Sequence, residues 1–456
     1  MNLRPNSLHA RDIASIVHPQ TNLQKHLQTG PTIMEKAQGI YVYDDEGNKY
    51  LEGAAGLWSA SLGFGVERLA KVAYEQMRGL GYYQIYRSHS HGPAIELAER
   101  LLALAPVPMS KVLFQCSGSE ANDTAIKLVW YYWHAVGKPE KRKIIARTQS
   151  YHGSTCATVS LTGKPDMHAD FGLPFAPFLH TNFPHYYRFH ETGESEEQFS
   201  QRMADALEQL ILAEGPETVA AFWAEPVMGA GGAVVPPKGY FEKIQAMLKK
   251  YDILFVVDEV ICGFGRTGNM WGTQTYDLQP DMISSAKALS ASLAPISALL
   301  INERVFQAMV SESGKLGSFA HGYTYAGHPV MAAVALETLK IYEEIDIVGH
   351  VRSVEPTFLE AIGGLTAHPL VGHFCGTGLI GGIEIVAHKE TRRAHDPALQ
   401  VPARIDAHAR RNGLILRYIG NRIAFSPPLI ITEGEVLEMR DKLLTALDAT
   451  YAEIRQ

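Results

Sequence analysis

Five short runs of mostly apolar residues in the middle of the chain constrain its fold more than any other feature. The runs span residues 111–116, 143–148, 219–225, 253–257 and 296–301, and helix-like segments lie between several of them, at 120–135, 198–213 and 240–250. Strands that are apolar throughout and alternate with helices are typical of a parallel sheet covered on both faces. The predicted fold class is therefore α/β, with a large central, mostly parallel sheet.

The two ends of the chain predict a smaller second domain. Residues 39–44 and 48–52 alternate apolar and polar side chains around Asp45-Glu46-Gly47, which is the pattern of a β-hairpin. From about Pro329 the chain begins helical and then has shorter strands near 379–386 and 413–417. We expect these strands to pack with the hairpin in an α+β domain. The predicted division is 1–60 for its N-terminal part, 61–328 for the large domain and 329–456 for its C-terminal part.

Composition excludes several classes of function. The chain of 456 residues is 46% hydrophobic and has a net charge of -7, so it has no basic footprint for nucleic acid. The first twenty residues contain no apolar run of the kind a secretory signal needs, and no stretch approaches the roughly 20 apolar residues of a membrane span. The 4 cysteines form no CxxC pair, which favours a reducing compartment. We therefore expect a cytoplasmic protein.

A loop after the first apolar run is suited to an anion. Residues 111–116 lead directly into Ser117-Gly118-Ser119-Glu120, in which Ser117 and Glu120 match the S-x-x-E capping box of a helix N-terminus. The free N–H groups and the dipole of such a terminus favour a phosphate. An ordinary capped helix without a ligand fits the same pattern.

Two further motifs resemble nucleotide-binding sequences but lack the necessary context. Residues 253–259 look like a Walker-B strand, yet Gly137-Lys138 and Gly163-Lys164 are each followed by proline, so neither forms a P-loop. Residues 263–268 read G-x-G-x-x-G, but they do not join a strand directly to a helix, and a NAD enzyme is only a minor alternative. What remains is Asp258, a carboxylate at the end of a buried strand, which would need a cationic partner unless it is a salt-bridged structural residue.

Lys287 is a single lysine among small and apolar residues in the segment 280–290. A surface lysine with its stem along an apolar face would fit this pattern. A desolvated amine with a lowered pKa would instead be able to form a Schiff base.

Taken together, these motifs resemble the class III aminotransferases, which are pyridoxal-phosphate (PLP) enzymes of fold type I, and among them the pyruvate-dependent omega-amine transaminases. The resemblance covers nearly the whole chain, and both order and spacing agree. The matching motifs are Gly56-Leu57-Trp58, Ser117-Gly118-Ser119-Glu120-Ala121-Asn122-Asp123, Tyr151-His152-Gly153, Ala224-Glu225-Pro226-Val227-Met228-Gly229, residues 258–268, Lys287 and residues 321–329.

The resemblance implies a cofactor site that two subunits share. Lys287 would hold PLP as a Schiff base, and Asp258 would keep the pyridine nitrogen protonated. The loop Ser117-Gly118-Ser119 would bind the phosphate, helped by the hydroxyl of Thr324 from the other subunit of a homodimer. The remaining cofactor contacts would be the ring-stacking Tyr151, the apolar floor Val260 and the acidic Glu225.

The resemblance also implies a substrate site. Arg417 lies in an apolar run and would bind the carboxylate of a keto acid, although an exposed arginine at a strand end would fit too. The side chains of Leu57, Trp58, Tyr86 and Tyr151 would line a pocket for an apolar amine substituent.

The function implied is transfer of an amino group from an amine or ω-amino acid donor to pyruvate or a related keto acid by ping-pong chemistry. The freed Lys287 would serve as general base and acid. An aminomutase or decarboxylase on the same fold, or a non-catalytic cofactor-binding protein, remain as alternatives. No metal site is predicted, since pairs such as His89 and His91 lack helical i,i+4 spacing. The motifs leave open the donor, the enantiomer preference, pyruvate against 2-oxoglutarate, and dimer against tetramer.

Overall fold

The computed structural model describes residues 4–455 of the chain. Its strands are β1 (Met34–Gln38), β2 (Tyr41–Asp44), β3 (Lys49–Glu52), β4 (Lys111–Gln115), β5 (Lys143–Arg147), β6 (Phe178–Thr181), β7 (Val219–Ala224), β8 (Leu254–Asp258), β9 (Met282–Ser285), β10 (Ser297–Ile301), β11 (Val371–Thr377), β12 (Ile380–Ile385), β13 (Leu414–Ile415), β14 (Arg417–Ile419) and β15 (Arg422–Phe425). Its α-helices are α1 (Leu8–Ser15), α2 (Leu23–Thr29), α3 (Ala55–Trp58), α4 (Glu67–Arg78), α5 (Gly92–Leu104), α6 (Gly118–Ala135), α7 (Cys156–Leu161), α8 (Tyr186–Phe189), α9 (Glu196–Glu214), α10 (Tyr240–Lys250), α11 (Gly272–Thr275), α12 (Glu303–Leu316), α13 (Pro329–Glu344), α14 (Ile347–Gly363), α15 (Val401–Arg411) and α16 (Glu433–Ile454).

A seven-stranded sheet forms the centre of the molecule, in the order β4-β10-β9-β8-β7-β5-β6. Only β10 runs antiparallel to its neighbours, and the other strand pairs are parallel. Val256 on β8 packs in one apolar cluster with residues of α6 and α12, whereas Phe255 and Val257 pack in another with residues of α9 and α10. Helices therefore cover both faces, as the unbroken apolar runs predict.

Both chain ends contribute to one of two smaller sheets. The hairpin of β2 and β3 extends to β13, which pairs in parallel with β3 through Leu414 opposite Leu51 and Ile415 opposite Glu52. A second small sheet, in the order β11-β12-β15-β14, is antiparallel. The mixed α/β fold with a mostly parallel central sheet is confirmed, while the domain boundaries at 60 and 328 stay a prediction.

The structure corrects the strand prediction at one place. Residues 413–417 do not form a single strand, because β13 ends at Ile415 in one sheet and β14 begins at Arg417 in another. The chain therefore changes sheets at Leu416, which is buried between them.

Across residues 4–455, every helix is too short or too polar to cross a membrane.

Candidate active site

Most of the predicted site residues follow strands at one edge of the central sheet. The carboxyl ends of parallel strands meet at the same edge, where ligands of open α/β sheets bind. The residues concerned are Ser117–Ser119 after β4, Tyr151 after β5, Glu225 after β7, Asp258 at the end of β8 and Lys287 after β9.

Lys287 has an unusual backbone and an unusual amine. Its φ of +51° lies in the left-handed region, which non-glycine residues adopt only when their surroundings hold them there. Burial lowers the pKa of the Lys287 amine to about 8. The negative charges of Asp258 and Glu225 oppose this shift, whereas the positive charge of Arg417 makes a smaller contribution in the same direction as burial. The amine is thus substantially more nucleophilic near neutral pH than an exposed lysine.

Asp258 is buried, and donors of this chain bind three of its acceptor positions. Its Oδ2 accepts a hydrogen bond from Asn122 Nδ2 at 2.7 Å and lies 2.9 Å from His152 Nδ1, and its Oδ1 accepts from the Val260 N–H at 3.1 Å. A carboxylate offers about four acceptor positions, so one is left for a further donor.

Asn122 and His152 were not predicted as site residues. Asn122 Nδ2 also donates to the His152 carbonyl at 2.8 Å, which ties helix α6, the loop after β5 and Asp258 together. Both residues lie inside the matched motifs, and the signal that would have found them is the need of a buried carboxylate for donors.

The loop before α6 has the predicted N-cap, although the capping box differs from the prediction. Ser117 Oγ accepts from the Glu120 N–H at 3.2 Å. Glu120 Oε2 accepts from the N–H of Cys116 at 2.7 Å rather than from that of Ser117. The carboxylate therefore reaches one residue further back along the chain than in the standard box.

Gly118 brings this loop against Val260 and the segment that carries Lys287. A Cβ atom on Gly118 would lie 3.0 Å from Val260 Cγ2 and 3.7 Å from the Cβ of Ala286. The N–H groups of Gly118 and Ser119 belong to the first turn of α6, which has no internal acceptors for them. A helix end with free N–H groups, the side chain of Val260 and the lysine segment thus meet at one place.

The loop after β5 packs directly on the same helix end. Gly153 has a φ of +141°, and a Cβ there would lie 2.4 Å from Thr158 Oγ1 and 2.8 Å from Ser119 Oγ. Ser119 Oγ also accepts from the Ser154 N–H at 3.1 Å, and the Tyr151 hydroxyl lies 3.0 Å from Ser154 Oγ. These bonds hold Tyr151 beside the predicted phosphate-binding loop Ser117–Ser119 at the start of α6.

Glu225 and Glu259 are both buried carboxyls, but they act in different places. Glu225 accepts from the Tyr151 N–H at 3.2 Å and the Gly229 N–H at 3.0 Å, and burial raises its pKa. Glu259 accepts from the Gly272 N–H at 3.0 Å and the Thr273 hydroxyl at 2.6 Å, and burial raises its pKa to about 7. Adjacent residues at a strand end point to opposite sides, so Glu259 secures the start of α11 while Asp258 serves the site.

Arg417, at the start of β14, has no acidic partner in the part of the chain that the structure describes. Its Nη2 donates to Gln20 Oε1 at 3.3 Å, and within residues 4–455 it forms no salt bridge to a carboxylate. Burial lowers its pKa, opposed by the charge of Tyr151, and its own charge lowers the pKa of Lys287. Within the described residues, Arg417 is therefore a guanidinium that has no acidic partner and whose charge lowers the pKa of Lys287.

The other predicted substrate residues are only partly brought together. Trp58 is buried in a cluster with Ile261 and Cys262, just beyond Asp258, whereas Leu57 is 59% exposed. Tyr86 packs against Gly322, since a Cβ on that glycine would lie 2.5 Å from the Tyr86 hydroxyl.

Thr324 lies in the same segment as Gly322, where its side chain is exposed and its carbonyl accepts from the Tyr82 hydroxyl at 3.0 Å. In the described part of the single chain, no hydrogen bond joins Leu57, Tyr86 or Thr324 to Lys287.

Comparison with known proteins identifies the family of the chain. A family model described as "Aminotransferase class-III" matches residues 23–447. Gamma aminobutyrate transaminase 3 of Solanum lycopersicum is 49% identical over 93% of this chain and 82% of its own length. Gamma-aminobutyrate transaminase 1 of Oryza sativa subsp. indica is also 49% identical, over 93% of this chain and 83% of its own.

Solved structures are similar over the full length. A thermostable omega transaminase mutant from Pseudomonas jessenii is 50% identical with a TM-score of 0.96, over 97% of this chain and 98% of that one. The Pseudomonas jessenii omega transaminase in complex with PMP is 50% identical with a TM-score of 0.96, over 98% of both chains. The chain belongs to the class III aminotransferases, the fold type I transaminases that use pyridoxal phosphate.

Proposed function

We propose that this aminotransferase moves an amino group from an amine or ω-amino acid donor to pyruvate or a related keto acid. The observation that carries the proposal is Arg417, whose charge lowers the pKa of Lys287 and which has no acidic partner among the described residues. A cation in a partly desolvated position favours a substrate with a carboxylate. Two kinds of relative support the two donor classes, since the solved neighbours are omega transaminases and the curated relatives are gamma-aminobutyrate transaminases.

The residues at the sheet edge fit PLP. Ser117, Gly118 and Ser119 would hold the phosphate at the first turn of α6, where a Cβ on Gly118 would lie only 3.0 Å from Val260 Cγ2. The free acceptor position of Asp258 would receive the N–H of the pyridine ring. When bound, the cofactor withdraws electrons from the substrate carbon and stores the amino group between half-reactions.

Further contacts would complete this binding site. Tyr151 and Val260 would cover the two faces of the ring, and Glu225 would line its edge through the bond that fixes the Tyr151 backbone. Thr324 would add its hydroxyl to the phosphate from the partner subunit. Its exposure in the single chain is what an intersubunit contact requires.

Lys287 would bind the cofactor aldehyde and then move the proton. Because the pKa of its amine is about 8, the neutral form is available near physiological pH to take the proton from the donor carbon. The same nitrogen, once protonated, would then donate a proton to the cofactor carbon that had carried the aldehyde. One lysine would thus serve both half-reactions.

A substrate panel tests this function. Purified holoenzyme is incubated with 1-phenylethylamine, β-alanine or γ-aminobutyrate as donor, and with pyruvate or 2-oxoglutarate as acceptor. We expect alanine from pyruvate with at least one of the donors. Glutamate from 2-oxoglutarate with no alanine from pyruvate would contradict the proposed acceptor, and neither product with any donor would contradict the function.

The role of Arg417 has a separate test. In Arg417→Ala, we expect the KM for pyruvate to rise about tenfold to a hundredfold, because a charged hydrogen-bonded pair contributes about 1.5–3 kcal/mol. The first half-reaction with 1-phenylethylamine, which has no carboxylate, should keep its rate in a single turnover. The matched control is Arg411→Ala, an exposed arginine on α15 that bonds His408. An equal effect on both substrates would contradict the assignment.

A further inference from the structure

Near the start of the chain, three side chains that could bind a metal converge on one point. Asp12 lies on α1, His26 lies on α2, and His18 lies in the turn between the two helices. Asp12 Oδ1 is 2.8 Å from His18 Nε2 and 3.3 Å from His26 Nε2. These three ligand atoms all lie within 4.8 Å of one another.

We propose that Asp12, His18 and His26 form a binding site for one divalent transition-metal ion of the zinc class. Zinc–ligand bonds of about 2.0–2.2 Å in a tetrahedron place neighbouring ligand atoms roughly 3.3 Å apart. The 3.3 Å from Asp12 Oδ1 to His26 Nε2 matches that value, whereas the 2.8 Å to His18 Nε2 is shorter, so His18 would have to move outward by about 0.5 Å to share a metal.

The buried Nε2 atom of His26 is the observation that favours a metal site over a group of side chains joined by hydrogen bonds alone. Asp12 and His18 form a hydrogen bond, whereas the buried His26 Nε2 lies 3.3 Å from Asp12 Oδ1 but forms no hydrogen bond among residues 4–455. The imidazole rings of His18 and His26 have centroids 4.3 Å apart, so both rings face the same carboxylate. A metal ion would give this buried nitrogen a partner.

The donor set selects the kind of metal. Two imidazole nitrogens and one carboxylate oxygen suit zinc and its neighbours in the first transition row, whereas calcium and magnesium prefer oxygen ligands alone. Three protein ligands leave a fourth position for water. Sequence spacing did not reveal the site, because residues 12, 18 and 26 are brought together by the turn between two helices rather than by one helical face.

The position of the site gives it a connection to Arg417. The turn between His18 and His26 carries Gln20, whose side chain accepts the hydrogen bond from Arg417. A metal that joins α1 to α2 would hold this turn, and with it Gln20, over the arginine. This consequence rests on the proposed function, whereas the metal site itself does not.

The test uses full-length holoenzyme prepared without a polyhistidine tag and depleted of metal with a chelator. Zinc is titrated against a chromophoric competitor, its amount is measured by elemental analysis, and cobalt(II) reports the ligand set through its visible absorption. We expect one zinc per chain. In His18→Gln and His26→Gln the affinity should fall by more than the roughly 10–100-fold that loss of an outer-shell partner costs.

The matched control is His9→Gln. His9 lies on α1, the helix that also carries Asp12, and its Nδ1 is 3.7 Å from Asp45 Oδ2. This variant should bind zinc as the parent does. His18 is only half-buried, so His18→Gln remains informative if replacement of the buried His26 disturbs folding. A parent protein that retains no zinc against the competitor, or binding unchanged in both His18→Gln and His26→Gln, would overturn the proposal, whatever the transaminase activity.

Discussion

Gly118 shows how strongly one residue depends on its surroundings. Its Cα lies so close to Val260 that an added methyl group would meet Cγ2 at 3.0 Å and Cγ1 at 3.1 Å. These two residues are proposed to hold the phosphate and to support the ring of the same cofactor. Any movement that relieves the contact would therefore alter the cofactor site.

The variant Gly118→Ala is expected to bind the cofactor at least about fivefold more weakly, because overpacking costs roughly 1–3 kcal/mol. Its thermal stability should change little, since alanine is the better helix former by about 0.5–1 kcal/mol. Equilibrium titration of the cofactor-free protein with PLP measures the affinity. The double variant Gly118→Ala/Val260→Ala removes the clashing methyl groups and should recover part of the loss. No difference between single and double variants would contradict this account.

Single residues were predictable where the chemistry is local. Lys287, Asp258 and the Ser117 loop stand out because each combines a reactive or anion-binding group with an apolar or capped context. Asn122 and His152 were not assigned, because their bonds to Asp258 join positions that are 136 and 106 residues apart. Propensity and spacing contain no information about such distant pairs.

Helix α6 is the element that links two parts of the candidate site. Its N-cap Ser117 begins the predicted phosphate-binding loop, and Asn122, about one turn later, donates a hydrogen bond to Asp258. Displacement of the first turn should therefore affect both the phosphate and the ring.

We expect Ser117→Ala to lower the free energy of unfolding by about 1 kcal/mol and also to weaken PLP binding, since the cap orients the first turn of α6. The matched control is Ser195→Ala, which removes the N-cap of α9, on the opposite face of the sheet from α6. It should lose similar stability and keep the cofactor affinity of the parent. Denaturant unfolding and PLP titration of both variants measure the two effects. If both variants lost cofactor affinity equally, the cap of α6 would have no specific role.

Elements were predictable where apolar residues form a long unbroken run or recur with helical spacing. Five central strands and three covering helices were identified from apolar runs and helical spacing. Strands β6 and β9 were not, since β9 is the short segment Met282-Ile283-Ser284-Ser285, half of it serine. The break between β13 and β14 depends on which sheet each pairs with, a tertiary choice that local pattern does not encode.

At the scale of the whole molecule, the proposed site would need a residue from a second chain. Thr324 is exposed, and its only hydrogen bond in the described chain is from Tyr82 to its carbonyl. The resemblance assigns it to the phosphate of a neighbouring subunit. The homodimer, like the domain boundaries, stays a prediction, because the sequence of one chain carries little direct signal of its partner.

A hybrid dimer tests whether Thr324 of one subunit belongs to the cofactor site of the other. Protomers with Lys287→Ala and Thr324→Ala are differently tagged, mixed and purified as the mixed species. If Thr324 serves the partner subunit, one site contains both changes and the other contains neither, so half of the sites should bind PLP with the affinity of the parent. If Thr324 serves its own subunit, every site is altered and no site of parental affinity remains.

The central claim is that Lys287, rather than another lysine with a lowered pKa, carries the cofactor. Lys141 provides a strict comparison, because burial also lowers its pKa to about 8. Its amine, however, donates hydrogen bonds to the carbonyls of Val219, Tyr251 and Asp252 at 3.0, 3.2 and 2.7 Å. These bonds hold the amine against the backbone, so we do not expect it to react with the cofactor.

The decisive measurement is borohydride reduction of the holoenzyme followed by peptide mass spectrometry. We expect one pyridoxyl group per chain, on Lys287, and the same result in Lys141→Ala. Lys287→Ala should carry no stoichiometric adduct. A group found on Lys141, or one pyridoxyl group per chain retained in Lys287→Ala, would contradict the account.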